Sequence, residues 1–231
     1  MMLPLLISVP HSGLAVPPDV KRYCALTRQQ IVDDSDEGAA EIYHGLRDHV
    51  AAFVTTPVAR AIVDMNRAED DRRPDGVVKT HTCWNVPVYR EFPPPESIES
   101  LLDQHYRPYH RLLTKLAKSG VQLGVDCHTM VAKGPPIGPG PGVERPWICL
   151  SNGERTCPQE WIESLAACFS RALDHDVTIN EPFKGGYIIQ SHSSELPWIQ
   201  LEMSRAPFMS NEEKHLRVLS ALQDWCRSHA T

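Results

Sequence analysis

Two histidines and one glutamate stand where apolar runs end, and each could do chemistry there. In "SVPHSG" His11 follows an apolar run, and in "VQLGVDCHTM" His128 follows another. The ends of parallel strands converge on one edge of an open α/β sheet, the edge that binds ligands. Two neutral imidazoles there could share a metal ion. A lone histidine at such a place is more often structural, so the pair carries more weight than either member. A third ligand, a carboxylate, would complete a His₂-carboxylate zinc site. "VDDSDEGAAEIY" offers Asp33, Asp34, Asp36 and Glu37, although acids at a helix start also serve the helix dipole. In "LPWIQLEMSR" Glu202 alternates with Ile199 and Leu201 and closes an otherwise apolar run. It is either a structural partner of Arg205 or a general base raised in pKa by burial.

Groups that could bind a substrate lie in two further stretches. "ARAIVDMNRAEDDRR" carries Arg60, Asn66 and Arg67. A guanidinium beside a carboxamide suits a carboxylate, because arginine offers a two-pronged fork. "FKGGYIIQSH" carries Gly185 and Gly186, which permit close backbone approach, and His192.

Positioning such groups needs a layered fold, and short apolar runs alternating with helical patterns indicate α/β. The expected strands are Leu5–Val9, Ala52–Thr56, Ala61–Val63, Val121–Val125, Trp147–Leu150, Val177–Ile179, Tyr187–Gln190 and Ile199–Met203. The expected helices are Gly38–His49, Glu96–Lys118 with a kink at Pro108, Pro158–Leu173 with Thr156 as cap, and Asn211–Arg227. Ser210 and Glu213 form a capping box for the last one. Segments 68–95 and 132–146 lack periodicity and read as binding loops within a single domain, 1–231.

The 231 residues are 42% hydrophobic and carry a net charge of −6, which excludes the basic surface that nucleic acid requires. Seven widely spaced cysteines without C-x-x-C read as free thiols, so the expected compartment is the cytoplasm. No apolar run is long enough to span a membrane.

"VPHSG", Ser35-Asp36, "ARAIVDMNR", "YRPYHRLL", "DCHTM", "PFKGGY" and "LEMSR" occur in this order from residue 7 to about 209. In this the chain resembles the N-formylglutamate amidohydrolase family. The resemblance implies a three-layer α/β/α fold with a mixed, largely parallel central sheet, similar to zinc carboxypeptidases (phosphorylase/hydrolase-like). It implies one Zn²⁺ per chain, held by His11, His128 and a carboxylate placed at Asp36 to match the family's acid before that helix. It implies Glu202 as base, with Asn66 and Arg67 on a substrate carboxylate. Arg60 is expected to stabilise the oxyanion. Gly185, Gly186, His192 and Arg205 are expected around the substrate, with His192 matching the family's histidine only after a one-residue shift. The expected reaction cleaves a small N-acyl amino acid such as N-formyl-L-glutamate, as in histidine degradation. The alternatives are a carboxypeptidase-like or other N-acyl-amino-acid hydrolase, or a metal- or ligand-binding protein on the same scaffold.

Overall fold

A computed structural model describes residues 2–117, 120–137 and 140–229. The strands are β1 (Leu3–Val9), β2 (Val50–Thr55), β3 (Leu123–Met130), β4 (Ile148–Ser151), β5 (Thr178–Ile179) and β6 (Trp198–Ser204). They form one sheet in the order β2-β1-β3-β6-β4-β5. β2, β1, β3 and β6 run parallel, while β4 is antiparallel to β6 and parallel to β5. The sheet is therefore mixed and largely parallel, as expected.

The helices are α1 (Pro18–Lys21), α2 (Arg28–Asp34), α3 (Ala39–Tyr43), α4 (Pro95–Leu101), α5 (Arg107–Leu116), α6 (Gln159–Leu173), α7 (Tyr187–Ser191) and α8 (Asn211–Ser228). One apolar cluster packs Leu5, Ile7, Val125, Leu201 and Met203 of the sheet against α3, α6 and α8. A second packs Leu6, Val54 and Trp198 against α4, α5, α7 and the 58–65 segment. These are the two outer layers.

Several local expectations need correction. Ala61–Val63 is a turn, with the Ile62 and Val63 amides both donating to the Ala59 carbonyl. Ile62 and Val63 fill the second cluster without pairing to the sheet. Tyr187–Gln190 is helical: Ile188 and Ile189 are neighbours yet both buried, which one turn of helix allows and a half-exposed strand does not. The segment expected at Gly38–His49 tightens after α3 into a 3₁₀ stretch, His44–Asp48. Between α4 and α5 a π-helical stretch, Leu102–Tyr106, precedes Pro108, and the Arg107 amide donates to the Leu102 carbonyl. The expected end of that helix at Lys118 lies outside the described residues. Thr156 does not cap α6. Its hydroxyl donates to the carbonyls of Asn152 and Trp198, and Pro158 precedes the helix. Ser210 and Glu213 do form the capping box of α8. A second box, Thr27 with Gln30, starts the unanticipated α2.

Among the described residues, no helix is long and apolar enough to cross a membrane.

Candidate active site

The strand β3 runs on through His128 to Met130, past the end expected at Val125. Because strand side chains alternate, Gly124, Asp126 and His128 share one face. Register then sets Ser8 beside Asp126, Gln200 beside Asp126, and Glu202 beside His128. That face is apolar where the strands begin, with the Trp198 indole covering Gly124. It turns polar where they end. His11 lies two residues beyond β1. Asp36 comes from the turn between α2 and α3, where its amide donates to the His11 carbonyl at 3.1 Å.

The side chains of His11, Asp36 and His128 converge, with one potential ligand atom from each lying within 4.8 Å of the others. Both imidazoles face Asp36 Oδ2 through Nδ1, at 3.6 Å from His11 and 2.9 Å from His128. Each Nε2 meets a different buried carboxylate: Asp64 at 2.7 Å for His11 and Asp126 at 2.8 Å for His128. Nε2–H donation to those carboxylates leaves the Nδ1 lone pairs directed at the shared centre. An outer carboxylate that fixes the histidine tautomer is the usual support of a metal ligand. Asp126 is held by the Ser8 hydroxyl at 2.6 Å, and Asp64 by the Asn66 amide at 2.9 Å. Two imidazoles and one carboxylate, all buried, fit a zinc ion, which would take the place of the proton that the carboxylates favour on His128. Burial alone would raise the Asp36 carboxyl, but His11 and His128 outweigh it and hold it well below the usual range. Burial would depress the His128 imidazole, and Asp126 with Asp36 reverses that.

Glu202 is buried, and its Oε1 accepts from Gln200 Nε2 at 2.9 Å. Burial pushes its carboxyl up to about 7, against the opposing pull of His128. A cavity of about 540 Å³ opens over these groups. His11, Asp36, Arg60, Asn66, Arg67, His128, Gly185, Gly186, Glu202 and Arg205 all line it. Arg60 packs beside Asp64, Nε to Oδ2 at 3.2 Å. Arg67 pairs with Asp75 at 3.3 Å at the rim. Asn66 accepts from the Ile188 amide at 2.8 Å and stands 3.2 Å from His128 Nε2. A Cβ on Gly186 would come within 2.2 Å of that carboxamide, so the second glycine makes room for Asn66. Arg205 donates to the Thr129 hydroxyl at 3.0 Å and to the Ser35 carbonyl, and stands 3.7 Å from Asp36.

The structure does not bring His192 into this cavity. The ring lies under α5, stacked on His110 with centroids 5.2 Å apart. Of the four acids in "DDSDE", Asp36 alone joins the histidines. Asp34 is buried against Lys79 at 3.0 Å, and Glu37 is exposed.

Sequence reasoning assigned no role to Asp64, Lys79, Gln200 or Arg145, which come together around the same centre or line its cavity. Asp64 sits four residues after Arg60, a spacing that reads as an ordinary ion pair. Lys79 and Arg145 lie in the aperiodic segments, where no pattern says which way a side chain faces. Gln200 had a signal: it alternates with Glu202 and so must share its face.

The family model described as N-formylglutamate amidohydrolase matches residues 3–209. An N-formylglutamate deformylase of Pseudomonas putida is 28% identical over 228 residues, covering 91% of this chain and 84% of that protein. One from Pseudomonas aeruginosa is 25% identical, with the same coverage. The crystal structure of N-formylglutamate amidohydrolase from Ralstonia eutropha JMP134 superposes with a TM-score of 0.79 at 18% identity, covering 99% of this chain and 96% of that one. A gene product of Agrobacterium tumefaciens gives 0.74 at 14% identity, covering 98% and 90%. The expected resemblance thus holds over nearly the whole chain, which is an amide hydrolase belonging to the N-formylglutamate amidohydrolase family.

Proposed function

We propose that the protein hydrolyses N-formyl-L-glutamate to formate and L-glutamate, with one zinc ion held by His11, Asp36 and His128. The observation that carries this reading is the convergence of two Nδ1 atoms on one carboxylate, with a buried glutamate beside His128 across the strand ladder. When bound, zinc supplies Lewis acidity, which acidifies water and polarises an acyl carbonyl. Glu202, near neutrality in its pKa, takes a proton from the attacking water as the new C–O bond forms. It returns that proton to the leaving nitrogen as the C–N bond breaks. Arg60, beside Asp36 in the cavity, donates to the oxyanion. Asp64 and Asp126 keep the two imidazoles oriented throughout.

The substrate would be a dianion, and the cavity lining suits one. Arg60, Arg67, Lys79, Arg145, Lys184 and Arg205 contribute six cations, against Asp33, Asp36, Asp75 and Glu202. Arg67 and Asn66 would take the α-carboxylate, with Gly185 and Gly186 as the adjoining wall and Arg205 nearby. A second reading, a larger N-acyl group, is favoured by the volume of about 540 Å³ and by the apolar lining of Trp84, Pro135 and Ile137. That space would suit a ligand well above N-formylglutamate in size. The seven free cysteines support a reducing compartment, and we place the enzyme in the cytoplasm.

The test is zinc content together with kcat/KM on N-formyl-, N-acetyl- and N-benzoyl-L-glutamate. One zinc per chain and a preference for the formyl compound are expected. Preference for the benzoyl compound would select the second reading, and no hydrolysis of any of them would remove both.

A further inference from the structure

His192 and His110, which belong to neither the metal centre nor its cavity, form a hydrogen-bonded chain with Glu195. Glu195 Oε2 lies 2.9 Å from His192 Nδ1, His192 Nε2 lies 2.9 Å from His110 Nδ1, and His110 Nε2 lies 3.0 Å from the Met65 carbonyl. Counting protons along it leaves three N–H protons on the two rings, and so one positive charge between them. A carbonyl only accepts, so His110 carries a proton on Nε2, and an ionised carboxylate only accepts, so His192 carries one on Nδ1. The third proton lies between the rings, and the bonds alone are satisfied with it on either one. Glu195 contacts His192 and not His110, which places the charge on His192 and leaves His110 neutral.

The surroundings agree with that assignment. His192 is buried and Glu195 is partly exposed, its other oxygen accepting from the Thr114 hydroxyl of α5 at 2.8 Å. Burial, and then the neighbouring His192, press the His110 imidazole down to about 4, which keeps it neutral. The other titratable groups around His110 are Tyr106 and Tyr109 from α5 and the stretch before it, Tyr187 from α7, and Glu69 and Asp126, and Arg107 and Arg111 of α5 line the same small cavity as the two imidazoles. Around His192 the remaining ring is Trp198, which carries no charge.

The chain ends on Met65, and the next residue is Asn66. Asn66 touches His128 Nε2 at 3.2 Å and Asp126 Oδ2 at 3.4 Å, and its carbonyl oxygen receives the Ile188 amide of α7. The helix α7 leads directly into His192. Thus the histidine chain and the Asn66–Ile188 bond tie the same two segments together, one on each side.

We propose that His192 is a positioning residue whose protonated side chain, through His110 and Met65, clamps Asn66 against the metal-binding edge. This rests on the hydrolase reading above only for its kinetic arm. Imidazole ¹⁵N NMR of the full chain tests the protonation pattern without any substrate. At pH 7 both nitrogens of His192 should carry protons, while His110 should be the neutral Nε2–H tautomer. A neutral His192, or a charged His110, would overturn the proposal even if the enzyme deformylates as expected.

The kinetic arm uses N-formyl-L-glutamate at saturating zinc. His192→Phe keeps the ring stack and volume but cannot donate, and should lower kcat/KM about tenfold, the lower end for loss of an outer support of a metal site. His192→Gln retains a donor toward His110 and should recover most of that loss. Thermal melts of both variants report folding, and Asn66 side-chain NMR signals report its position. A shifted Asn66 signal in His192→Phe but not in His192→Gln supports the clamp. Equal activity and an unmoved Asn66 signal in His192→Phe would overturn it, because packing alone would then suffice.

Discussion

The same three strands present two different faces. On one, Leu5, Ile7 and Val9 of β1, Leu123, Val125 and Cys127 of β3, and Ile199, Leu201 and Met203 of β6 are apolar from end to end. On the other, Leu6 gives way to Ser8, Gly124 to Asp126 and His128, and Trp198 to Gln200 and Glu202. The first face stabilises by removing apolar area from water. The second buries five polar or ionisable groups, each of which costs free energy unless it is paired. Much of that pairing comes from groups far away in the chain: Asp36 on His128, Tyr109 on Ser8, Asn66 on Asp126 and the Gly186 amide on Gln200. A single one-residue alternation thus separates the stabilising function from the chemical one.

The largest test of that separation removes one of the two histidines proposed to hold the metal. His11→Ala or His128→Ala should abolish zinc binding and nearly all activity while the chain still folds, read by metal analysis and circular dichroism. Retained zinc in either variant would break the assignment of the polar face. Glu202→Gln should keep zinc and leave KM little changed. Its kcat should fall about 10²–10⁴-fold, the usual contribution of a general base.

The pH profile sharpens the same point. Burial raises Glu202, so its working carboxylate form is lost on acidification. In wild type, kcat/KM should fall as pH drops, through a limb at or below about pH 7, because a bound cation favours the carboxylate. That limb should vanish in Glu202→Gln, and its persistence there would assign it to another group.

Arg67→Ala should act mainly on KM, roughly 10- to 150-fold, corresponding to about 1.5–3 kcal/mol for a charged hydrogen bond. Comparison of N-formyl-L-glutamate with its α-amide checks this, since the variant should no longer prefer the acid. The smallest effect on chemistry is expected from the opposite face. Leu201→Ala sits between Gln200 and Glu202 in sequence but points into the apolar layer. It should cost about 2–5 kcal/mol of stability by denaturant melts, with kcat per folded molecule close to wild type. A large fall in kcat there would show that the two faces are not independent.

What the sequence determined by itself is local and periodic. Alternation in "WIQLEMS" placed Glu202 on one face and Leu201 on the other, and the Ser210–Glu213 capping box fixed the start of α8. The order of short motifs carried the family, and the apolar runs carried the parallel strands. The tertiary structure decided whatever depends on separation along the chain. "DDSDE" holds four acids with nearly the same local claim, and only the backbone bond from the Asp36 amide to the His11 carbonyl selects Asp36. Alternation could not stop the strand at Val125 or carry it through His128, because ladder pairing with β6 extends β3. Tyr187–Gln190, an apolar run too short to distinguish strand from helix, became helical because Ile188 docks on Asn66, 122 positions away. The same docking turns His192 toward α5 and away from the cavity. Lys79 reaches the site across 45 positions because Asp34 is buried and needs a cation. Hydrophobic period and capping act over a few residues, so the sequence shows them directly. Which carboxylate meets which imidazole is a long-range pairing, and only the closed sheet and its loops bring those partners within hydrogen-bond distance.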